Sequence, residues 1–237
     1  PKAQHEYPLL SLPKTKQVSE VAAFAAKNPV MLMLKYDGLT VELIYEDGRL
    51  IRVSTRGDGH TGEDITHNVA AIGGVPQTIP YIGRIIIAGE AIVHWQDFQA
   101  INNALPEDEQ YKTPRNLASG SIRLLDPQEC KKRCVYFYPW DVLSVKRSES
   151  RAQTMELLAG LGFSVPPYFR LENPAEEDIA EAIDDLSRLA KRRNIPIDGI
   201  VAKYESYNYS KSLGGTGHHN NDGLAFKFED ESAITTL

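Results

Sequence analysis

The chain has 237 residues, enough for one large domain or two small lobes with a real core. With 42% hydrophobic and 24% charged residues it has an ordinary globular composition, and its formal charge of −6 argues against a globally basic protein that coats nucleic acid, while a local basic face stays compatible with it. The longest apolar runs, such as 85–88, are too short to span a bilayer, residues 1–10 carry charge and read as no signal peptide, and Cys130 and Cys134 lack partners for a zinc site, so a cytoplasmic protein with reduced thiols, no structural metal and no membrane association is expected.

In chain order, the pattern predicts three consecutive strands at 30–34, 39–45 and 50–55, with Glu46-Asp47-Gly48 as the hairpin turn between the second and third. A buried strand within 84–93 follows, with Ile85-Ile86-Ile87 running into Gly89-Glu90. Helices are predicted at 95–103 and 115–124, then an aromatic-rich strand at 135–143 and a helix at 151–161 stopped by Gly162. A long amphipathic helix covers 175–193, with Asn173 as cap and Pro174 in the first turn. Late strands are predicted at 200–204 and 224–228, after a polar loop at 214–223. Short antiparallel strands with peripheral helices make the fold α+β rather than doubly wound.

Several segments carry chemistry. In Lys35-Tyr36-Asp37-Gly38 a lysine ends a buried strand before a turn. An amine in a partly desolvated pocket is available as a nucleophile, and Asp37 can orient it or hold a ribose or metal. An exposed turn lysine fits those four residues equally well. The stretch 55–66 brings three glycines close together, as a backbone approaching a ligand or a plain connecting loop requires, and it lacks the Gly-Lys-Ser/Thr of a Walker A loop. Glu90 ends an apolar strand, where a carboxylate is costly unless it binds something such as a ribose diol. Arg115 and Arg123 lie eight apart on one predicted helix face, an arrangement suited to phosphate or to simple solvation. Trp140 is a core or a base-stacking residue. Lys203 and Lys227 each interrupt an apolar strand and, with Lys35, suggest a cationic pocket for polyphosphate.

These segments, in this order, resemble the NAD-dependent DNA ligases. The matches are Lys-x-Asp-Gly at 35–38, Thr-Arg-Gly-Asp-Gly-x-x-Gly-Glu-Asp-Ile-Thr at 55–66, and Gly-Glu at 89–90. They continue with Pro-Arg-Asn-x-Ala-x-Gly-Ser-x-Arg at 114–123, Ile-Asp-Gly-x-Val-x-Lys at 197–203 and Ala-Phe-Lys-Phe at 225–228. His5-Glu6 and Leu10-Ser11-Leu12 resemble the family's lead-in. The similarity covers nearly the whole chain, and the blocks at 55–66 and 114–123 are specific to the NAD-dependent branch.

The resemblance implies a covalent nucleotidyltransferase fold of antiparallel sheets flanked by helices, with the nucleotide pocket between the sheets. It implies that Lys35 attacks NAD, takes AMP and releases nicotinamide mononucleotide. AMP then passes to the 5′-phosphate of nicked double-stranded DNA, with magnesium needed for the full reaction. By the same resemblance Asp37 and Lys227 assist catalysis, Lys227 at the α-phosphate. Glu90 and Arg56 hold the ribose, Trp140 stacks on adenine where the family usually has tyrosine, and Lys203 lies near the base. Ser11 and Leu12 wall the pocket, Arg115 and Arg123 serve DNA phosphates, and Arg192 matches a further family arginine only if a short deletion is allowed. The expected protein is a monomer, and residues 1–237 are its adenylation domain. A segment for nicotinamide mononucleotide would precede them, and an OB-fold, a zinc module and a helix-hairpin-helix region would follow. A chain opening on Pro1 fits such a fragment.

Two departures stand out. Met33 occupies a position where the family commonly has glutamate, which puts the usual hydrogen bond to the adenine amino group in doubt. The stretch His218-His219-Asn220-Asn221-Asp222-Gly223 replaces the family's Ala-Pro-Arg-Trp-Ala. His218 and His219 there are either a plain surface loop or a substitute phosphate or DNA contact. Rival readings are an ATP-using ligase core and a degenerate nucleotide-binding module. The complete set Lys35, Glu90, Lys203 and Lys227 speaks against the latter.

Overall fold

The computed structural model describes residues 1–144, 149–217 and 219–229. In chain order the elements are β1 (Lys2–Gln4), β2 (Lys14–Thr15), α1 (Val18–Ala25), β3 (Val30–Tyr36), β4 (Leu39–Glu46) and β5 (Arg49–Thr55). Next come β6 (Thr61–Glu63), β7 (Arg84–Ile92), α2 (Trp95–Asn103), α3 (Pro114–Ile122), α4 (Pro127–Lys131) and β8 (Tyr136–Val142). The last third holds α5 (Arg151–Gly160), β9 (Tyr168–Leu171), α6 (Glu176–Arg192), β10 (Ile197–Tyr204), α7 (Tyr207–Leu213) and β11 (Gly223–Lys227).

Two sheets carry the molecule. One has the order β2-β11-β10-β3-β9 and the other β5-β4-β7-β8. Their pairs are antiparallel, as expected of an α+β fold, except that β2 runs parallel to β11. The hairpin between β4 and β5 turns at Asp47 and Gly48, both with positive φ (45° and 79°), the conformation Asp-Gly adopts at low cost.

Strand alternation divides the apolar residues of β3 between two cores. Val30, Leu32, Leu34 and Tyr36 face α1 and α6, joined by Ile200, Ala202 and Tyr204 of β10. Met31 and Met33 face the other way, into the core built on β4, β7, α3 and α5. On α6 the residues Ile179, Ala182, Ile183, Leu186 and Ala190 are buried, one stripe at helical spacing.

Sequence expectation and structure differ at α6. The helix begins after Ala175, whose N–H is capped by the Asp178 carboxylate at 2.8 Å, while Asn173 sits in the preceding loop at φ 47°. A carboxylate three residues into the helix satisfies the free N–H without Asn173. The helices expected at 115–124 and 151–161 appear as α3 and α5, and the structure adds their caps: Thr113 caps α3 with Pro114 in its first turn, and Ser150 and Gln153 form a capping box on α5.

Candidate active site

A cavity of about 320 Å³ opens between β3, β10 and β11 of one sheet and β4, β7 and β8 of the other. Pairing aligns Lys35, Gly199 and Lys227 across three adjacent strands, so the two lysines flank the glycine. A Cβ at Gly199 would lie 2.0 Å from the Phe226 carbonyl oxygen, so only glycine permits this approach of β10 to β11. The β10–β3 register slips between Ile197 and Gly199, which makes Asp198 the extra residue of a bulge. Its carboxylate turns to both amines: Lys35 Nζ donates to Oδ1 at 2.9 Å and Oδ2 at 3.2 Å, and Lys227 Nζ lies 3.3 Å from Oδ2.

A second bulge shapes the other end. Ala88 pairs with Asp141 and Gly89 with Pro139, leaving Trp140 as the extra residue of β8, and it lines the cavity. Lys203 Nζ stands 5.6 Å from the centre of the Trp140 ring and 4.0 Å from Asp141 Oδ2. Burial pushes the Lys203 amine below its ordinary range, Arg151 adds to the effect, and Asp222 and Asp141 oppose it. Arg151, at the start of α5, is buried. Its Nη1 reaches Asp141 Oδ2 at 3.1 Å, its Nη2 reaches Asp222 Oδ2 at 2.7 Å, and its Nε donates to the Tyr204 carbonyl at 2.8 Å.

Between the two ends lies Glu90. The Thr40 hydroxyl donates to its Oε2 at 3.1 Å. Burial raises its carboxyl from 4.5 to about 7, against the pull of Thr40, Lys35, Arg115 and Trp140. Arg56 also lines the cavity, and its Nε donates to the Leu9 carbonyl at 2.8 Å. That bond fastens the N-terminal stretch containing Pro8, Leu9, Leu10, Ser11 and Leu12 along the cavity wall. His5 anchors the same stretch, with Nδ1 3.1 Å from the buried Glu42 and Nε2 3.1 Å from the Arg56 carbonyl oxygen.

Of the candidates from sequence, Ser11, Leu12, Lys35, Arg56, Glu90, Arg115, Trp140, Lys203 and Lys227 thus line one cavity. Asp37 stands at its rim, 3.6 Å from Arg115 Nη1. Burial raises the Asp37 carboxyl and Asp198 adds to this, while Arg115 and Lys35 counteract it. Arg123 is farther out, paired with Glu63 at 2.5 Å on the surface. Arg192 is not brought to the site. The apolar stripe of α6 faces the outer side of β3, so Arg192 lines a separate groove with Tyr168, Phe169 and Arg188. His218 lies outside the described residues. His219 contacts Ser11, Nδ1 to Oγ at 2.9 Å, so it closes the loop against the N-terminal stretch.

Sequence reasoning passed over Asp198, Thr40 and the Arg151–Asp141–Asp222 cluster. Asp198 stood inside a quoted motif, Ile-Asp-Gly, where a carboxylate beside a strand glycine was the available signal. The buried arginine had no local signal, because its partners lie 10 and 71 residues away.

Comparison with known proteins agrees with this geometry. Residues 1–231 match the model of the NAD-dependent DNA ligase adenylation domain. A DNA ligase of Ruminiclostridium cellulolyticum is 38% identical over 241 residues, covering 100% of this chain and 36% of that protein. DNA ligase 1 of Nocardia farcinica is 37% identical, covering 99% of this chain and 35% of that protein. The chain therefore spans about a third of the length of these relatives. Among solved structures, a putative ATP-dependent DNA ligase from Aquifex aeolicus has a TM-score of 0.54 at 12% identity, covering 94% of this chain and 51% of that one. An archaeal ATP-dependent RNA ligase has a TM-score of 0.53 at 16% identity, covering 93% and 48%. These two establish the nucleotidyltransferase fold alone. The family model, matching almost from end to end, decides the lineage: this chain belongs to the NAD-dependent DNA ligase adenylation domain family.

Proposed function

We propose that the cavity holds the adenylate half of NAD and that Lys35 Nζ attacks the phosphorus bearing the adenosine. A P–N bond forms as the P–O bond to nicotinamide mononucleotide breaks. The observation that carries this reading is the pair of amines, Lys35 and Lys227, gathered on one carboxylate at one end of a cavity whose other end has an indole and a buried lysine. Asp198, 2.9 Å from the attacking amine, takes the proton that the amine loses. Lys227 faces the negative charge growing on the phosphoryl oxygens, where a preorganised ammonium acts most strongly. Asp37, at the rim beside Arg115, orients the approach to the phosphate.

Ionised Glu90 accepts from the ribose hydroxyls, with Arg56 beside it. Trp140 stacks on the base, worth about 1 kcal/mol beyond area burial. Ser11 and Leu12 close the wall. The residues fit an adenine nucleotide on one further ground: the buried Asp222 Oδ1 in the cavity lining has no hydrogen-bond partner among the described residues. Magnesium fits differently. Among the described residues no cluster of three His, Cys, Asp or Glu side chains exists, so the polyphosphate and water would supply most of its ligands. Transfer of AMP to the 5′-phosphate of nicked double-stranded DNA, and sealing, belong to the whole protein. Arg115 on α3 and Arg123 directly after it, both exposed, are the phosphate contacts this chain offers. We read the whole protein as a cytoplasmic monomer.

The test is labelling of the full-length protein with NAD carrying label in its adenylate, and in parallel with labelled ATP. Wild-type protein takes label from NAD and loses it to nicotinamide mononucleotide, whereas Lys35→Ala and Lys35→Arg take none. Label retained by either variant overturns the assignment of Lys35, and label from ATP but not NAD overturns the donor.

A further inference from the structure

We propose that Asp222 reads the exocyclic amino group of the base, and so selects adenine over 6-oxo purines in this chain. The proposal rests on the adenylate-binding reading of the cavity. Lys203 lies four positions along β10 from Gly199, which is beside the reactive lysines, a distance of about 13 Å along an extended strand. The base end is therefore well separated from the phosphate end, and its polar groups can be taken one by one.

Asp141 is fully engaged. Its Oδ2 meets Arg151 Nη1 at 3.1 Å, and its Oδ1 accepts from the Tyr207 hydroxyl at 2.8 Å and from the Val142 N–H at 2.8 Å. Met33 and Val201, paired across β3 and β10, also line the cavity and offer no acceptor. Asp222, just before β11, is different. Its Oδ2 meets Arg151 Nη2 at 2.7 Å, but its Oδ1 is shielded from water and unpartnered among the described residues. A buried charged acceptor without a donor is costly, so a ligand donor that reaches it gains the whole difference. The carboxylate torsion is broad, so a small turn about Cβ–Cγ presents the oxygen to the cavity.

A ring stacked on Trp140 would then meet the Lys203 amine as a donor and Asp222 as the charged acceptor, with the Asn220 amide also in the cavity lining. The 6-amino group of adenine is a donor flanked by the ring acceptors N1 and N7, which is the complement of that pair. Hypoxanthine and guanine carry oxygen at C6 and would set two acceptors face to face.

The experiment uses full-length protein freed of covalent AMP with nicotinamide mononucleotide. Calorimetry measures its affinity for AMP, for purine riboside 5′-monophosphate, which lacks only the amino group, and for IMP. Wild type should prefer AMP over purine riboside monophosphate by roughly tenfold or more, as for a hydrogen bond to a charged group. In Asp222→Asn the amide oxygen is drawn to Arg151 and the NH₂ faces the base. The AMP preference should fall below about threefold and IMP should gain relative to AMP. If Asp222 serves only to partner Arg151, all three nucleotides weaken alike, and the proposal is overturned. Should Asp222→Asn not fold, Asp222→Glu keeps the charge for Arg151 and moves the acceptor by one methylene. An unchanged preference there also overturns it. Equal binding of AMP and purine riboside monophosphate by wild type rejects the role of Asp222 alone. Failure of both to bind rejects the adenylate-binding reading with it.

Discussion

Replacing Arg151 by methionine should be among the most destabilising single changes in this chain. The side chain is 3% exposed and holds two carboxylates that are themselves only 11% and 16% exposed. Its guanidinium also lies 4.7 Å from the centre of the Tyr207 ring. Methionine fills much of the volume but leaves Asp141 and Asp222 facing each other, with Lys203 4.0 Å from Asp141 as the remaining cation nearby. Breaking a buried ion cluster from one side costs about 3–5 kcal/mol, because charges stay buried without their partner. Against a total stability of about 5–15 kcal/mol, that is roughly a fifth of the margin or more. The melting temperature should fall on the order of 10 °C for a chain this long. Urea denaturation of Arg151→Met beside Lys132→Met is the assay. The latter breaks the Lys132–Glu129 pair, 68% and 49% exposed, and should cost less than about 1 kcal/mol. Adding Asp141→Asn and Asp222→Asn to Arg151→Met should recover part of the loss, since it removes the uncompensated charges. If Arg151→Met costs no more than Lys132→Met, the argument from buried charge is refuted.

Asp198→Asn keeps the bulk of the bulged residue but removes the charge that gathers Lys35 and Lys227. Single-turnover labelling of the full-length protein should slow by about a hundredfold or more, and a rate within threefold of wild type would show that Asp198 neither holds the amines nor takes a proton. Glu90→Gln addresses pH. Because folding raises the Glu90 carboxyl from 4.5 to about 7, the folded state binds this proton more tightly than the unfolded state. The stability tied to Glu90 is therefore full below about pH 4.5, declines as pH rises toward 7 and is flat above. Glu90→Gln should remove that decline, so its stability relative to wild type should rise between pH 4.5 and pH 8 by on the order of 3 kcal/mol. An identical difference in denaturation midpoint at both pH values would contradict the assignment.

Much of this was legible in the chain because the chemistry is local in sequence. Lys35, Glu90, Lys203 and Lys227 are polar residues in apolar strands, and each strand fell within two or three residues of its predicted bounds. The short elements β1, β2, β6, β9 and α7 had too few residues for periodicity to act on. Arg192 shows the opposite failure. A motif alignment put it near the site, but α6 must turn its apolar stripe to the sheet, and the helix repeat then fixes where Arg192 points. The bulges at Asp198 and Trp140 could not be read, since a register slip depends on a partner strand that sequence spacing does not reveal.

The two ends of the cavity answer differently to sequence change, and the reason is geometric. At the end that the proposed function gives to phosphate, the Lys35 amine meets a second amine, Lys227, and the Asp198 carboxylate at one point. That meeting is fixed by three aligned strands, a bulge and a glycine that no side chain can replace. At the base end, recognition requires only an acceptor at a given place, and any strand lining the cavity can supply it. Met33 on β3 offers none, although the family resemblance led to a glutamate there. Asp222, across β10 at the head of β11, offers one and is held by Arg151 from a different helix. The departures at 33 and 222 thus fall in the part of the cavity where a lost contact can be restored from another element, and the Lys35 amine stays where the backbone leaves it no alternative.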